Sequence, residues 1–283
     1  MRCSISTDGL PDHVTEHLAP IVAGEGVAAA HPDGAHGTVV GTFRHGCYVQ
    51  VHGDMYAVAG PAVAPGPIHL IVEHAPARVP EGLAVWRDGG RLRSTEWQLD
   101  LAGAAVYRPR MPAATDLHLA TTALKTMRHR LAVPEDLRSC WESVRRAVAT
   151  DDLTAARELL EGRGGGLTPT GDDVLAGVLL VHAWRGDHPD GLLRVAAEAA
   201  TTNLSRSFLA WAARGQSLAP VHDLVAHAAA NDVTGFDQAV ATVSAIGGSS
   251  GVALLWGIGL ATTAAGTVRS WRAAAVPPAR SSS

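Results

Sequence analysis

Lysine is almost missing from this chain: Lys125 stands alone among 23 basic residues. A Schiff base or the lysine of a nucleotide-binding phosphate loop would have to use Lys125, which sits in an ordinary helical pattern, so neither chemistry is expected. Cysteine is also scarce. Cys3, Cys47 and Cys140 are odd in number, far apart and in no metal-ligand spacing, which argues against a disulfide framework or a zinc site and for a reducing, cytoplasmic setting. The 14 histidines include no HExxH pair, and His182, inside an apolar run, reads as a packed core residue. Aromatics make up 5% of the chain and none interleaves with the basic pairs Arg91/Arg93, Arg128/Arg130 and Arg145/Arg146. With a net charge of −4, those pairs are solvated faces, and a nucleic-acid partner is not expected. The stretch Met1–Pro11 has no apolar run, so no secretory signal is read there. Gly251–Val268 is uncharged over 18 residues, but it is rich in Gly, Ala and Thr. It reads as a buried core helix, not a membrane span.

What is present is a chain of 283 residues, 47% hydrophobic, long enough for one large core or two smaller ones. Its first third reads as β structure. Gly37–Phe43, Cys47-Tyr-Val-Gln-Val51 and Ile68-His-Leu-Ile-Val72 are short β-branched or alternating runs bounded by Gly and Pro. Leu83–Trp86, the turn Asp88-Gly89-Gly90 and the run Arg91–Leu101 predict a hairpin whose turn needs positive φ. Near Met111-Pro112 the period changes. Leu117, Ala120, Leu124, Met127 and Leu131 line one helix face, Pro134 breaks it, and Leu137, Trp141, Val144 and Val148 begin another. Asp151 or Asp152 caps a third helix that runs to Leu160, and from Gly166 onward the pattern is almost entirely helical. The expected fold class is α+β: a β-rich, barrel- or sandwich-like part (1–111) packed on a mostly helical part (112–272), with a disordered tail (273–283).

The segment Gly162-Arg-Gly-Gly-Gly-Leu-Thr-Pro-Thr-Gly-Asp-Asp173 is the chemical centre of this reading. Consecutive glycines let several backbone N–H groups turn toward one point. Thr168 or Thr170 can cap the following helix, and its N-terminal dipole favours a phosphate or carboxylate. Gly165, Gly166 and Gly171 supply close backbone approach, and Arg163 a planar cation. Asp172 and Asp173 occupy the first helical turn, where the dipole is expected to lower their pKa. Neighbours on a helix point about 100° apart, so one of the two suffices to face a ligand. That one can accept from an amide or ureido NH₂, hold Mg²⁺, or act as a base. A carboxylate there repels phosphate unless a cation or an NH₂ group intervenes, which favours a ligand with an anionic end and an amide end. The same residue types also serve plain capping and packing. The Gly-Lys-Ser/Thr ending of a Walker loop is missing, and no βαβ unit surrounds the segment.

Two further elements are candidates for the same pocket. Thr201-Thr-Asn-Leu-Ser-Arg206 places Thr201 with Ser205, and Thr202 with Arg206, at helical spacing. Gly247-Gly-Ser249-Ser250 offers more N–H and hydroxyl donors. Thr170-Gly-Asp-Asp-Val-Leu-Ala-Gly177 also aligns without gaps on Ser250-Gly-Val-Ala-Leu-Leu-Trp-Gly257, both reading hydroxyl-Gly-x-x-x-Leu-x-Gly. A real repeat would bring two helix N-termini to one pocket, only one of them carrying acids.

The string Gly164-Gly-Gly-Leu-Thr-Pro-Thr-Gly-Asp-Asp-Val-Leu-Ala-Gly177 resembles the GLTPSGDDxLxG hallmark of a bacterial domain family first catalogued without a function. That family includes the oxamate carbamoyltransferase subunit AllH of anaerobic allantoin (purine) catabolism. His36–Val51 looks like the family's N-terminal strand region, Pro65-Gly66-Pro67 like its GP turn, and Thr201–Gly215 like its Thr/Ser helix. Ile246–Gly257 resembles its second motif, SSGxDxLxG, except that Val252-Ala253 stands where an acid is expected. The resemblance implies a carbamoyltransferase subunit exchanging oxalurate plus phosphate with oxamate plus carbamoyl phosphate, beside subunits similar to succinyl-CoA synthetase. Asp172 and Asp173 would be catalytic, with Arg163, Gly165, Gly166, Thr168, Thr170, Gly171, Thr202, Ser205, Arg206, Ser249 and Ser250 around the substrate. No cofactor is required by this reading, Mg²⁺ being the one candidate ion. The alternative is a non-catalytic small-acid-binding or scaffold subunit of a succinyl-CoA-synthetase-like complex.

Overall fold

The computed structural model describes residues 15–28, 34–77 and 79–264. Cys3, Val268 and the tail 273–283 lie outside them. The described chain is α+β, strands first and helices after. The strands are β1 (Glu16–Leu18), β2 (Pro20–Gly24), β3 (His36–Phe43), β4 (Gly46–Val51), β5 (Asp54–Ala59), β6 (His69–Val72), β7 (Ala84–Asp88), β8 (Arg91–Ser94), β9 (Trp97–Asp100) and β10 (Ala105–Tyr107), with the one-turn α1 (Glu25–Ala28) after β2. The later helices are α2 (Ala114–Arg130), α3 (Trp141–Ala149), α4 (Leu153–Leu160), α5 (Thr170–Trp184), α6 (Pro189–Glu198), α7 (Asn203–Ala212), α8 (Ala219–Ala229), α9 (Val233–Ser244) and α10 (Ser250–Ala264).

One sheet holds the strands in the order β1-β9-β8-β7-β3-β4-β5-β6-β2-β10. Only Ala19 separates β1, at one edge, from β2, next to the other. One residue spans about 3.5 Å, so the sheet must curl until its two ends approach. Inside the curl lie Val39, Cys47, Val49, Val51, Val85, Leu92, Trp97 and Leu99. Strand alternation puts Tyr48 on the opposite face, which packs with Met55, Ile68 and Val40 against Leu204, Phe208 and Trp211 of α7. Gly89 (φ 56°) and Gly90 (φ 79°) make the expected turn. The single strand expected over Arg91–Leu101 is instead two. Ser94 Oγ accepts from the Glu96 and Trp97 amides at 3.2 and 3.0 Å, folding the chain back between β8 and β9. The helix expected from Leu137 likewise starts later: Glu135–Leu137 is a 3-10 turn, and α3 begins at Trp141.

In the helical part α5 and α10 are buried on nearly every side, which explains why both read as apolar all round. No helix among the described residues is long and apolar enough to cross a membrane. His182 is buried, with Nδ1 2.6 Å from Asp187 Oδ2. The eight-residue repeat is structural. A Cβ on Gly177 would collide with the Leu254 carbonyl and sit 2.9 Å from Gly257 Cα. A Cβ on Gly257 would collide with the Val174 carbonyl and sit 2.9 Å from Gly177 Cα. Each partner is thus the other's equivalent eighty residues away, as a local two-fold relation requires. The relation extends upstream: Asp152 caps α4 and Asp232 caps α9 with the same side-chain bond, and both follow a residue (Asp151, Asn231) at φ 56°.

Candidate functional site

The glycine-rich segment leaves α4, bends through Gly162 (φ 65°), Gly164 (φ 105°) and Gly166 (φ 89°), and runs into α5. Only glycine adopts these angles at little cost. Asp172 holds the bend: its Oδ1 accepts from the Gly162 amide at 2.9 Å and its Oδ2 from the Thr201 hydroxyl. Thr202 Oγ1 donates to the Leu167 carbonyl at 2.8 Å, and the Leu167 side chain rests on Gly41 of β3, where a Cβ would lie 2.6 Å from its Cδ1. With its ends tied, the loop presents the amides of Gly164–Thr168, none of which meets an acceptor among the described residues. Asp172 is therefore a positioning residue. Asp172→Ala should cost about 2 kcal/mol, because it takes from the Gly162 amide and the half-buried Thr201 hydroxyl their common acceptor. Urea unfolding measures that loss, and faster amide exchange at Gly162–Leu167 should accompany it; unchanged exchange would contradict the role.

Three helix N-termini meet here. Thr168 Oγ1 lies 3.0 Å from Ser250 Oγ, Thr170 Oγ1 lies 3.5 Å from Ser249 Oγ, and Thr202 caps α7 by accepting from Ser205 N at 3.0 Å. The positive ends of α5, α7 and α10 thus superpose on one small volume. The capping expected of Thr168 or Thr170 does not occur: Pro169 is the N-cap of α5 and no side chain caps it. Thr170 instead donates to Asp136 Oδ2 at 3.1 Å, because the 3-10 turn before α3 passes beside the start of α5.

Asp173 is the other acid, turned about 100° from Asp172. Ser250 hydrogen-bonds its carboxyl, yet Asp173 Oδ2 is shut off from solvent and has no partner among the described residues. Burial, reinforced by the neighbouring Asp172, pushes its pKa up to about 8 against the pull of Ser250. This reverses the expectation that the helix dipole lowers it: desolvation of the charged form outweighs the dipole. At neutral pH Asp173 is mostly a neutral acid, hence a donor, and it no longer repels an anion. Tyr48 stands close enough for the Asp173 charge to act on it, and burial first, Asp173 second, raise its hydroxyl to about 12.

Gly165 and Gly166 are exposed at the loop tip with open space around them, and Arg163 is exposed with no ion pair among the described residues. Gly171 is a packing glycine, since a Cβ there would strike the Leu160 carbonyl. Ser205 is buried on α7 with its hydroxyl unpartnered, and Arg206 bonds the Thr201 and Ala199 carbonyls at 3.2 and 3.4 Å, fastening the turn before α7. Thr201 and Thr202 precede that helix, so the face-sharing expected of Thr202 and Arg206 is not formed. Ser249 is exposed and Ser250 half-buried; Ala253, the counterpart of Asp173, is fully buried. Among the described residues no three His, Cys, Asp or Glu side chains gather as a metal ligand set. Sequence reasoning missed Asp136, 34 residues from its partner with no motif to mark it, and Thr201 as the clasp on Asp172. It also missed Tyr48, although its place in an alternating strand already put it opposite the buried Cys47 and Val49.

Residues 160–262 match the family model described as oxamate carbamoyltransferase subunit AllH. The AllH match runs from the last residue of α4 into α10. It takes in the glycine-rich loop, both acids, α7 and the second copy of the repeat, and leaves Asp136 and Tyr48 outside. No curated protein and no solved structure matches the chain. The AllH description names a subunit of an oxamate carbamoyltransferase.

Proposed function

We propose that this chain is the carbamoyl-handling subunit of a transferase that exchanges oxalurate plus phosphate with oxamate plus carbamoyl phosphate. The observation that carries this reading is the neutral, half-unpartnered carboxyl of Asp173 at the meeting point of three helix N-termini. The Gly164–Thr168 amides and the start of α10 at Ser249 and Ser250 hold phosphate or carboxylate oxygens. When oxalurate forms, the oxamate amide nitrogen bonds to the carbamoyl carbon, the bond from that carbon to the phosphate oxygen breaks, and one N–H proton leaves. Asp173 gives its proton to the departing phosphate oxygen and recovers one from the nitrogen. Positioning and charge stabilisation supply the rest. Partner subunits resembling succinyl-CoA synthetase would complete the complex, and an Mg²⁺ ion brought in on the phosphate would add charge neutralisation. The acid-free second copy, with Ala253 in place of an Asp, favours one other reading, a binding subunit without catalysis.

Thermal-shift titration of the purified protein with carbamoyl phosphate, oxalurate, oxamate and phosphate tests the proposal. A ligand at one hundred times its Kd adds about 2.7 kcal/mol, so Tm should rise by several degrees with carbamoyl phosphate or oxalurate. No shift with any of the four at millimolar concentration would overturn it. Binding without transfer, even with partner subunits present, would leave the binding-subunit reading.

A further inference from the structure

We propose that the N-terminal sheet completes the ligand site, with the Tyr48 hydroxyl of β4 donating, beside Asp173, to one anionic oxygen of the bound ligand. The inference rests on the reading that the N-termini of α5 and α10 hold a ligand, and it makes Tyr48 a specificity-determining residue for small oxyanions. Three observations carry it. First, Asp173 Oδ2 is a buried polar atom with no hydrogen-bond partner among the described residues. Second, Tyr48 pairs across the sheet with Gly41, on which the Leu167 side chain of the glycine-rich loop rests, and its hydroxyl makes no hydrogen bond to any described group; the Asp173 charge also acts on it. Third, the Tyr48 ring is held in place: Phe43 lies 4.9 Å away between centroids, and the α7 residues Phe208 and Trp211 belong to the same packed cluster.

Two neighbouring donors that do not bond each other are satisfied together by one acceptor with several lone pairs, which a carboxylate or phosphate oxygen is. The groups that face Asp173 are consistent with this. On α5, Asp172 is engaged by Gly162 and Thr201; on α10, Ser250 offers a hydroxyl; from the 3-10 turn before α3, Asp136 accepts from Thr170. A neutral Asp173 and a phenol that keeps its proton are both donors. The seat therefore suits an anion below about pH 8 and loses it as Asp173 ionises.

Isothermal titration of the full chain with oxamate and, separately, inorganic phosphate reads this directly, comparing wild type with Tyr48→Phe. Phenylalanine keeps the ring packing, and a thermal melt within a few degrees of wild type confirms the fold. Tyr48→Phe should weaken at least one of the two anions about tenfold or more at pH 6.5, the loss expected for a hydrogen bond to a charged group. Loss of oxamate alone places a carboxylate at Tyr48, and loss of phosphate alone places a phosphate there. Wild-type affinity for oxamate should fall about tenfold or more between pH 6.5 and 9.5, as the raised carboxyl ionises. If wild type binds and Tyr48→Phe binds both anions equally well, this inference is wrong while the functional reading stands. If wild type binds neither anion, this inference is wrong, and the functional reading falls with it only if carbamoyl phosphate and oxalurate also fail to bind.

Discussion

Asp173→Asn should yield a protein more stable than wild type at pH 9 and nearly devoid of carbamoyl-transfer activity. The sign follows from the direction of the shift. The carboxyl is raised from 3.8 to about 8, so between those values the folded chain holds a proton that the unfolded chain has lost. Wild-type stability therefore declines as pH rises from about 4 to about 8 and levels off above. Asparagine removes that slope at this position and keeps a group able to bond Ser250. The gain above pH 8 is on the order of a few kcal/mol. It would be read as a difference between urea unfolding curves of the two proteins at pH 5, 7 and 9. Loss of a proton-transferring group costs roughly 10²–10⁴-fold in rate. In wild type the rate should fall as pH rises through about 8. A variant less stable than wild type at pH 9, or one retaining most of the activity, would show that Asp173 is an ordinary capping acid.

The second large effect belongs to the helix crossing. Gly177→Ala adds a methyl that meets the Leu254 carbonyl and the Gly257 Cα, both backbone atoms that cannot rotate aside. The helices must separate, at a cost of about 3 kcal/mol. Separation also moves the N-termini of α5 and α10, so Thr168 and Ser250, 3.0 Å apart, lose contact and ligand affinity drops with stability. Gly257→Ala should cost a similar amount by the reciprocal contact. The double variant should cost clearly less than the sum, because the first methyl has already opened the crossing. Denaturation of the three variants measures this. Full additivity would mean that the two glycines do not share one contact.

Much of the architecture was legible because it rests on local period and turn chemistry. Leu117, Ala120, Leu124 and Met127 are the buried face of α2, Asp152 caps α4, and Gly89-Gly90 turns the β7–β8 hairpin, each as its own neighbourhood dictates. The split of β8 from β9 escaped because the Ser94 side chain bonds the backbone that follows, a competition that hydrophobic alternation does not register. The pairing of β1 with β9 and of β2 with β10 escaped because both are long-range and set by how the sheet curls.

The glycine-rich loop shows the same division. Its location, its anion-favouring amides and the presence of two acids follow from Gly162–Asp173 alone, since glycine conformational freedom and helix-end polarity are local properties. The division of labour between the acids does not. Asp172 became a fastening group because Thr201, from another segment, reaches it, and Asp173 became a neutral acid because burial where α5 packs on α10 disfavours its charge. Protonation state depends on burial and on charges brought in from distant segments, so only the tertiary structure decided which acid can face a ligand and in what form.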